Sequence, residues 1–520
     1  MKNATILHRS ISNISSDFRR NLPYILFTAN VFLVIAFYFT MAGMHEDGLI
    51  YSSLAANMSH NVGSLWDPSF SEALWPHFYE HPPLAFYLQS IFIRFVGDNP
   101  NIDKLYFFIL TLISLGLLLL FWRQRFPQVR LHFVWVPILF WLANQENLAV
   151  GYHGMVESTL MIFTTLASYY ILKGLSLSTK QAIYYYSLGS FLIMLAFFTN
   201  GCQAFFPLVI PAIYAFVFDR HRRADVLWGW VSWKLVNITL LLSFLTTILI
   251  GMVLLYPPAL NNTIHYFQQQ VLATLSGAKN GEHLVGLFGH FKVLWFLFVN
   301  STPAAIFTTY WCGVYSKQNK QPMLRTIKSA FQNEWCLFFL FVAVSASLPV
   351  CFSPRQSNHY LAQSYTFWAL FFIQACMPAC VNVINNKQNL ALDPEKKQKF
   401  FLNGMIGLFL LLGILNIHFA GRPSYRNSPL INDAEHLKKI LPSHVNISVS
   451  NPHDFMVHHV FLFYRYHYIC LTNQPNEAYY MQSKHEKNWP EGYLPVNAEF
   501  RTFQLFKKQQ AMCKINLPAV

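Results

Sequence analysis

HEDGLIYSSLAANMSHNVGSLWDPSFSEALWPHFYEHPPL, residues 45–84, follows the first long apolar segment of this 520-residue chain. The stretch carries five carboxylates and four histidines, although only 12% of all residues in the chain are charged. A soluble protein would have about 25% charged residues. So many carboxylates and imidazoles next to apolar segments indicate chemistry at a membrane surface.

Outside this stretch the chain is dominated by apolar runs of roughly 17 to 25 residues, the length that crosses a bilayer as a helix. We therefore predict an all-α polytopic membrane protein with about eleven transmembrane helices. A shorter apolar patch, Leu84–Val96, is predicted to lie along the interface instead. The predicted spans are Leu22–Thr40, Leu105–Trp122, His132–Val150, Ser158–Leu172, Ile183–Thr199, Gln203–Phe218, Val231–Tyr256, Val293–Gly313, Trp335–Cys351, Leu361–Val383 and Phe400–His418.

The formal net charge of +14 does not predict a nucleic-acid partner, because lysines and arginines concentrate in alternate loops between the apolar runs. Cytoplasmic loops carry this excess of cations. The N-terminus is therefore predicted to be cytoplasmic. Four polar segments are then predicted to lie outside, and these are the large first loop 41–104, Gln145–Glu157, Pro257–His290 and Ser353–Tyr360.

The last hundred residues, 421–520, are polar and aromatic and contain no run of spanning length. Short strands are predicted at Ile447–Ser450 and Tyr468–Leu471, and a helix is predicted at Asp433–Ile440, opened by Asn432 or Asp433. We predict two domains: a transmembrane domain at 1–420 and a small α/β domain outside the membrane at 421–520.

Two candidates for chemistry lie in the first loop. Asp47 precedes an apparent helix, where it would cap the N-terminus or act as a general base toward an acceptor hydroxyl. Glu80 and His81 precede two prolines that fix the chain direction. They are either incidental residues at a helix entry or the lining of a polar site, where Glu80 could bind a divalent metal ion.

Three further residues have two interpretations each. Glu157, at the outer end of a predicted span, would cap that helix or face a shared polar site, because a carboxylate at that depth is costly otherwise. Arg355 would anchor the chain at the interface or clamp a lipid-linked phosphate, assisted by Lys279 and Lys292. His265 is an isolated histidine or, with Glu80, half of a metal site.

Five sequence strings occur in the order found in one known family. The chain resembles the GT-C membrane glycosyltransferases that use polyprenyl-phosphate sugars, which include the protein mannosyltransferases and the lipid A aminoarabinose transferases. Three positions depart from the family pattern, with Gly48 in place of Glu, Glu157 in place of Asp and Asn200 in place of Lys. The matching strings are EDGLIYSSLAANM with FYEHPPL, GYHGMVES, FTNGCQAFFPLVIP, IHYFQQQ and PRQSNHYLA.

The resemblance implies a GT-C fold and an inverting hexosyl or pentosyl transferase. It would act at the periplasmic face of a bacterial inner membrane, with the domain 421–520 periplasmic. Its partners would be a polyprenyl-phosphate-linked sugar, a lipid, glycan or protein acceptor, and membrane lipids. No cofactor is implied beyond a candidate divalent metal at His265 and Glu80. The resemblance implies that the catalytic residues are Asp47, Glu80 and Glu157. The implied substrate-binding residues are Glu46, Tyr51, His81, Lys279, Arg355 and Tyr360.

A polytopic transporter or lipid flippase without glycosyl transfer is the alternative class. Such a protein would be expected to show inverted repeats, interrupted helices and ionisable residues at mid-membrane. The polar cluster of this chain falls in predicted outer loops instead. A non-enzymatic assembly protein could use the tail 421–520 for binding, but it would have no use for the carboxylates of the first loop.

Overall fold

The computed structural model describes residues 22–72, 74–130, 133–218, 233–276, 291–351, 353, 356–386, 394–422, 428–449, 457–484, 486 and 489–509. The chain is mainly helical and divides into two compact units. The first unit comprises Met1–Met41, Tyr79–Ala85 and Lys104–Ala420. The second comprises Ala42–Phe78, Phe86–Asp103 and Gly421–Val520, so it combines most of the predicted first loop with the tail.

Helices account for nearly all of the first unit. Long apolar helices satisfy their own backbone hydrogen bonds, which a bilayer requires. In chain order the described helices are Leu22–Thr40, Ile102–Arg125, Trp135–Ala143, Glu146–Tyr152, Glu157–Leu175, Thr179–Asn200, the 3₁₀ turn Gly201–Val209, Ile210–Phe218, Trp233–Leu254, Pro257–Tyr266, the π turn Phe267–Leu272, Ala273–Leu275, Lys292–Gln318, Met323–Phe331, Glu334–Cys351, the 3₁₀ turn Asn358–Leu361, Ala362–Asn386 and Pro394–Phe419.

Eight helices within the described residues are long and apolar enough to cross a membrane. The polytopic helical fold predicted from the sequence is confirmed. The eleven predicted spans map onto these eight helices with three differences. Two predicted spans, Ile183–Thr199 and Gln203–Phe218, fall within one continuous segment, Lys180–Phe218. The predicted spans 132–150 and 158–172 do not correspond to any of the eight.

The predicted span 132–150 is two short helices, Trp135–Ala143 and Glu146–Tyr152, because the chain leaves the helical conformation at Asn144. The amide oxygen of Asn144 accepts from the backbone N–H of Glu146 and begins the second helix. The helix Glu157–Leu175 has 19 residues, but its buried face carries threonines and serines that lower its hydropathy. Thr164 and Ser168 bond to carbonyls of their own helix, which makes their burial tolerable.

The second unit is built around the helix Glu46–Ser59, whose residues from Gly48 to Met58 are buried. The helix Val457–His467 packs against it through Tyr464, whose hydroxyl donates to Asn57. Phe461 of the same helix stacks on Trp75, with ring centroids 5.2 Å apart. Most of the helix Leu84–Val96 also belongs here, with the bounds predicted from the sequence.

A five-stranded sheet completes the second unit in the order β2-β1-β3-β5-β4. β1 runs parallel to β2 and β3, and β5 is antiparallel to β3 and β4. The helix Val457–His467 connects β1 to β2, as a parallel pair requires. The predicted α/β character of the tail is confirmed. The strands are β1 Asn446–Ser448, β2 Cys470–Thr472, β3 Tyr479–Ser483, β4 Tyr493–Pro495 and β5 Phe503–Lys508, with a further helix at Ser428–Ile440.

Candidate active site

A chain of polar contacts joins three distant parts of the first unit. The imidazole Nδ1 of His81 lies 3.1 Å from the side-chain oxygen of Asn200. The amide nitrogen of Asn200 in turn donates to the carboxylate of Glu157 at 3.4 Å. Glu157 is buried, with 1% of its surface exposed. The structure therefore brings together two residues predicted for the site, His81 and Glu157. They are connected by Asn200, which the sequence singled out only as a difference from the family pattern.

A cavity of about 310 Å³ opens beside this chain of contacts. Such a volume is within the range of pockets that hold small-molecule ligands. The lining combines polar side chains with the apolar residues Val271, Pro349 and Val350, which suits a ligand with a polar head and an apolar remainder. The lining comprises His81, Asn200, Cys202, Gln203, Tyr266, Gln270, Val271, Thr274, Pro349, Val350, Ser353 and Tyr360.

The position of Asn200 depends on a sharp change in backbone direction. The helix Thr179–Asn200 ends at Gly201, which has φ +66° and ψ −136°, a conformation almost restricted to glycine. A Cβ at Gly201 would also collide with the hydroxyl end of Tyr266. The glycine thus lets the tyrosine approach the helix end and leaves the amide of Asn200 turned toward Glu157.

The segment before the two prolines also contacts the helix Pro257–Tyr266. The ring of Tyr79 stacks on the imidazole of His265, with centroids 4.7 Å apart and planes 22° apart. This contact brings the neighbourhood of Glu80 to His265. Among the described residues, no group of three His, Cys, Asp or Glu side chains is placed to hold a metal ion. A Glu80–His265 pair would need further ligands from a bound substrate.

A second polar cluster surrounds Glu146 in the same unit. Asn358 donates to the Glu146 carboxylate at 2.5 Å, and its own side-chain oxygen accepts from Asn300 and Tyr365. Burial raises the pKa of Glu146 to about 7. This carboxyl was not among the predicted site residues, because the side chains around it lie more than 150 positions away in the sequence. The signal that could have found it is an acidic residue in an otherwise apolar predicted span.

The remaining site residues from the first loop belong to the second unit. Glu46 and Asp47 lie in the first turn of the helix Glu46–Ser59, and the side chain of Asp47 is 39% exposed. The helix cap is His45, which accepts from the backbone N–H of Asp47 at 3.3 Å, so Asp47 is not the cap residue. Tyr51 is buried and stacks on Phe86 at 5.2 Å, within the packed interior of the unit.

Tyr360, predicted to bind substrate, lies in the wall of the 310 Å³ cavity. Lys279 and Arg355, predicted to bind a lipid-linked phosphate, lie outside the described residues. The structure adds Asn200, Gln203 and Tyr266 to the candidate site. Neither Gln203 nor Tyr266 was singled out by the sequence analysis, because each is an ordinary residue in an apolar helical stretch.

The fold and this cavity define a polytopic helical membrane protein with a polar cavity of small-molecule size, as predicted from the sequence for its fold class. No protein-family model matches the chain, and no curated protein matches it either. Similarity is found at the level of structure.

The structure is similar to that of ArnT from Cupriavidus metallidurans in the apo state, with a TM-score of 0.56, 13% sequence identity, and coverage of 93% of this chain and 97% of ArnT. It is equally similar to ArnT bound to undecaprenyl phosphate, with a TM-score of 0.57 and the same identity and coverage. An oligosaccharyltransferase from Archaeoglobus fulgidus matches with a TM-score of 0.44 and 12% identity, over 85% of this chain and 64% of that chain.

Proposed function

We propose that this protein is an inverting membrane glycosyltransferase that moves a sugar from a polyprenyl-phosphate donor to a lipid, glycan or protein acceptor. The observation that carries the proposal is the cavity bounded by His81, Asn200 and Tyr360, in a chain whose fold is similar to that of ArnT over 93% of its length. ArnT was crystallised with undecaprenyl phosphate, a polyprenyl phosphate. The protein is proposed to reside in a bacterial inner membrane with its active site at the periplasmic face.

The cavity suits the polar end of such a donor. Its amide, hydroxyl and imidazole groups supply hydrogen bonds to sugar hydroxyls and phosphate oxygens, and its apolar lining residues Val271, Pro349 and Val350 accept the first part of a polyprenyl chain. Lys279 and Arg355 are proposed to contact the phosphate, since cationic side chains form strong hydrogen bonds with phosphate oxygens. Glu46 and Tyr51 are proposed to bind substrate.

In the proposed reaction, Asp47 accepts the proton of the acceptor hydroxyl while that oxygen forms a bond to the anomeric carbon. The bond between the anomeric carbon and the phosphate oxygen breaks, and polyprenyl phosphate leaves with the bonding electron pair. The anomeric carbon acquires oxocarbenium character, which nearby carboxylates stabilise. Glu80 and Glu157 are proposed to supply that negative charge and to position the reactants. The configuration at the anomeric carbon is inverted.

A divalent metal ion is a candidate cofactor at Glu80 and His265. Two protein ligands do not make a resident metal site, since protein-bound Zn²⁺ normally has three or four. An ion held there would take its remaining ligands from the donor phosphate and would bind together with it. This proposal assigns no chemical step to the metal.

The direct test is the variant Asp47→Asn. Removing a general base costs about 10²- to 10⁴-fold in rate, so sugar transfer to acceptor is expected to fall at least about 100-fold. Transfer is measured as product formed from a radiolabelled polyprenyl-phosphate sugar by the full chain in detergent or nanodiscs. The matched control is Asp67→Asn, which alters an exposed carboxylate of the same loop that pairs with His77 at 2.8 Å.

The control variant is expected to retain the parent rate. An Asp47→Asn protein that remains folded and transfers sugar as fast as the parent would contradict the assignment of the base. The alternative class, a transporter or flippase, predicts a different result. Such a protein would move the polyprenyl-phosphate sugar across a vesicle membrane with its sugar–phosphate bond intact, and no acceptor would be glycosylated in any variant.

A further inference from the structure

The second unit contains a cleft that the proposed reaction does not use. Its volume is about 560 Å³, large enough for a di- or trisaccharide-sized ligand. It lies against the sheet, at the loop that joins β4 to β5. Its lining includes Lys484, Trp489, Glu499, Phe500, Arg501 and Gln504.

The floor of the cleft is rigid. Phe500 and Phe503 are buried and stack with ring centroids 4.3 Å apart. The buried carboxylate of Asp433 accepts from the backbone N–H groups of Arg501 and Thr502, at 2.8 to 3.0 Å. These bonds fix the loop between the two strands, so the cleft is formed before any ligand arrives, which lowers the cost of binding.

The rim of the cleft carries exposed aromatic and polar side chains. Trp489 is 65% exposed and touches the floor through an edge contact with Phe506, at 6.1 Å between ring centroids. Within the described parts of the chain, the side chains of Lys484, Glu499 and Gln504 form no hydrogen bond or ion pair, and they are exposed. An exposed indole face surrounded by hydrogen-bonding side chains suits a sugar ring, which presents C–H bonds on its faces and hydroxyls at its edge.

The charges of the rim favour an acidic ligand, because Lys484 and Arg501 supply two cations against the single carboxylate of Glu499. An extended peptide is a poorer fit. The nearby edge strand β4 has three residues and ends in Pro495, which has no N–H to donate to an added strand.

We propose that this cleft binds a saccharide carrying an anionic group, with a sugar ring stacked on Trp489 and the anionic group between Lys484 and Arg501. The idea that this cleft holds the glycan part of an acceptor rests on the proposed function. The idea that it binds a saccharide does not rest on that function, because such binding requires neither a donor nor Asp47.

Isothermal titration of the full chain in nanodiscs with trigalacturonic acid, and with maltotriose as a neutral probe of equal length, tests the cleft. Trigalacturonic acid is expected to bind at least about tenfold more tightly than maltotriose, and Trp489→Ala is expected to weaken it by about tenfold or more. Lys484→Ala should weaken the binding of trigalacturonic acid and leave the binding of maltotriose unchanged. The control variants Leu494→Ala and Lys507→Ala change an exposed apolar and an exposed cationic residue outside the lining, and they should bind as the parent does.

The proposal would be overturned if neither saccharide bound. Equal affinity for the two probes, or equal losses in the lining and control variants, would also overturn it. Tighter binding of hexaglutamate that is insensitive to Trp489→Ala would indicate an acidic peptide instead. Because all these substitutions are at exposed side chains, thermal unfolding of each variant should match the parent. The Asp47→Asn protein should bind the probe normally, so failure of the catalytic proposal and failure of the cleft are distinguishable.

Discussion

At position 200 the chain has asparagine where the family that its sequence resembles has lysine, and the amide makes contacts that a lysine could not. An amide accepts through its oxygen and donates through its nitrogen, whereas an ammonium group only donates. Asn200 uses the oxygen toward His81 and the nitrogen toward Glu157. The imidazole at position 81 and the amide at position 200 are therefore a matched pair. Together the two contacts connect the imidazole of His81 to the buried carboxylate of Glu157.

Glu146 gives a prediction about pH. Its pKa is about 7 in the folded protein against an ordinary value of 4.5, because the carboxyl is buried. The folded state thus retains a proton that the unfolded chain has released. The free energy of unfolding is expected to be highest below about pH 4.5 and to decrease as pH rises toward about 7. Thermal unfolding in detergent at several pH values measures the slope.

The variant Glu146→Gln cannot ionise and is expected to remove this slope between about pH 5 and pH 7. Its amide can still accept from Asn358, so the cluster is preserved. The control Glu435→Gln changes an exposed carboxyl on the helix Ser428–Ile440 and should leave the slope unchanged. A parent-like pH dependence in Glu146→Gln would show that another group is responsible.

At the scale of elements, the local sequence pattern predicted the bounds of some helices, whereas the bounds of others depend on contacts with distant residues. The helix Leu84–Val96 has its predicted bounds, because its apolar period and flanking prolines are local features. The helix predicted to open at Asn432 or Asp433 begins at Ser428 instead. Asp433 is used elsewhere, since its carboxylate binds backbone N–H groups near residue 501, and no local pattern reveals that partner. The break at Asn144 was missed for a similar reason, because the flanking apolar residues continue through it.

The break at Gly201 is predicted to be essential to the candidate site. Gly201→Ala would place a Cβ against Tyr266 in a backbone conformation that costs about 1–3 kcal/mol for a non-glycine residue. We expect a lower unfolding temperature and weaker binding of undecaprenyl phosphate, measured by thermal shift with and without that lipid. Gly251→Ala is the control, because this helical glycine has nothing within 4 Å of an added Cβ. If both variants behave alike, the break does not position the site.

Arg465 joins the helix Val457–His467 to the stretch 98–103 within the second unit. Its guanidinium, almost fully buried, bonds to Asp103 at 2.9 Å and to Asp98 at 3.0 Å. Burial alone would raise the pKa of Asp98, but the guanidinium lowers it below its usual value. Arg465→Ala leaves buried carboxylates without this partner and is expected to cost about 3–5 kcal/mol. Denaturant unfolding measures the loss, and Lys438→Ala, at an exposed cation, should cost less than about 0.5 kcal/mol.

At the scale of the whole molecule, the sequence predicted a membrane part followed by a tail domain at residue 421. The second unit does begin again at Gly421, but it also includes Ala42–Phe78 and Phe86–Asp103. Contacts such as Asn57 with Tyr464 join residues about 400 positions apart, so hydropathy and composition could not indicate them. The candidate site has the same character, because His81, Glu157 and Asn200 come from three separate segments.

This composition of the second unit makes the predicted orientation testable. Because the first loop and the tail form one compact unit, both must lie on one side of the membrane. The positive-inside rule predicts that this is the outer side of the membrane and that the loop after the helix Lys292–Gln318 faces the cytoplasm. In a cysteine-free background, exposed positions are changed one at a time, giving Val62→Cys, Leu494→Cys and Asn319→Cys. A membrane-impermeant maleimide on right-side-out vesicles should label the first two and should label Asn319→Cys only after permeabilisation. Labelling of Asn319→Cys in sealed vesicles, with protection of the other two, would reverse the orientation and move the proposed active site to the cytoplasmic face.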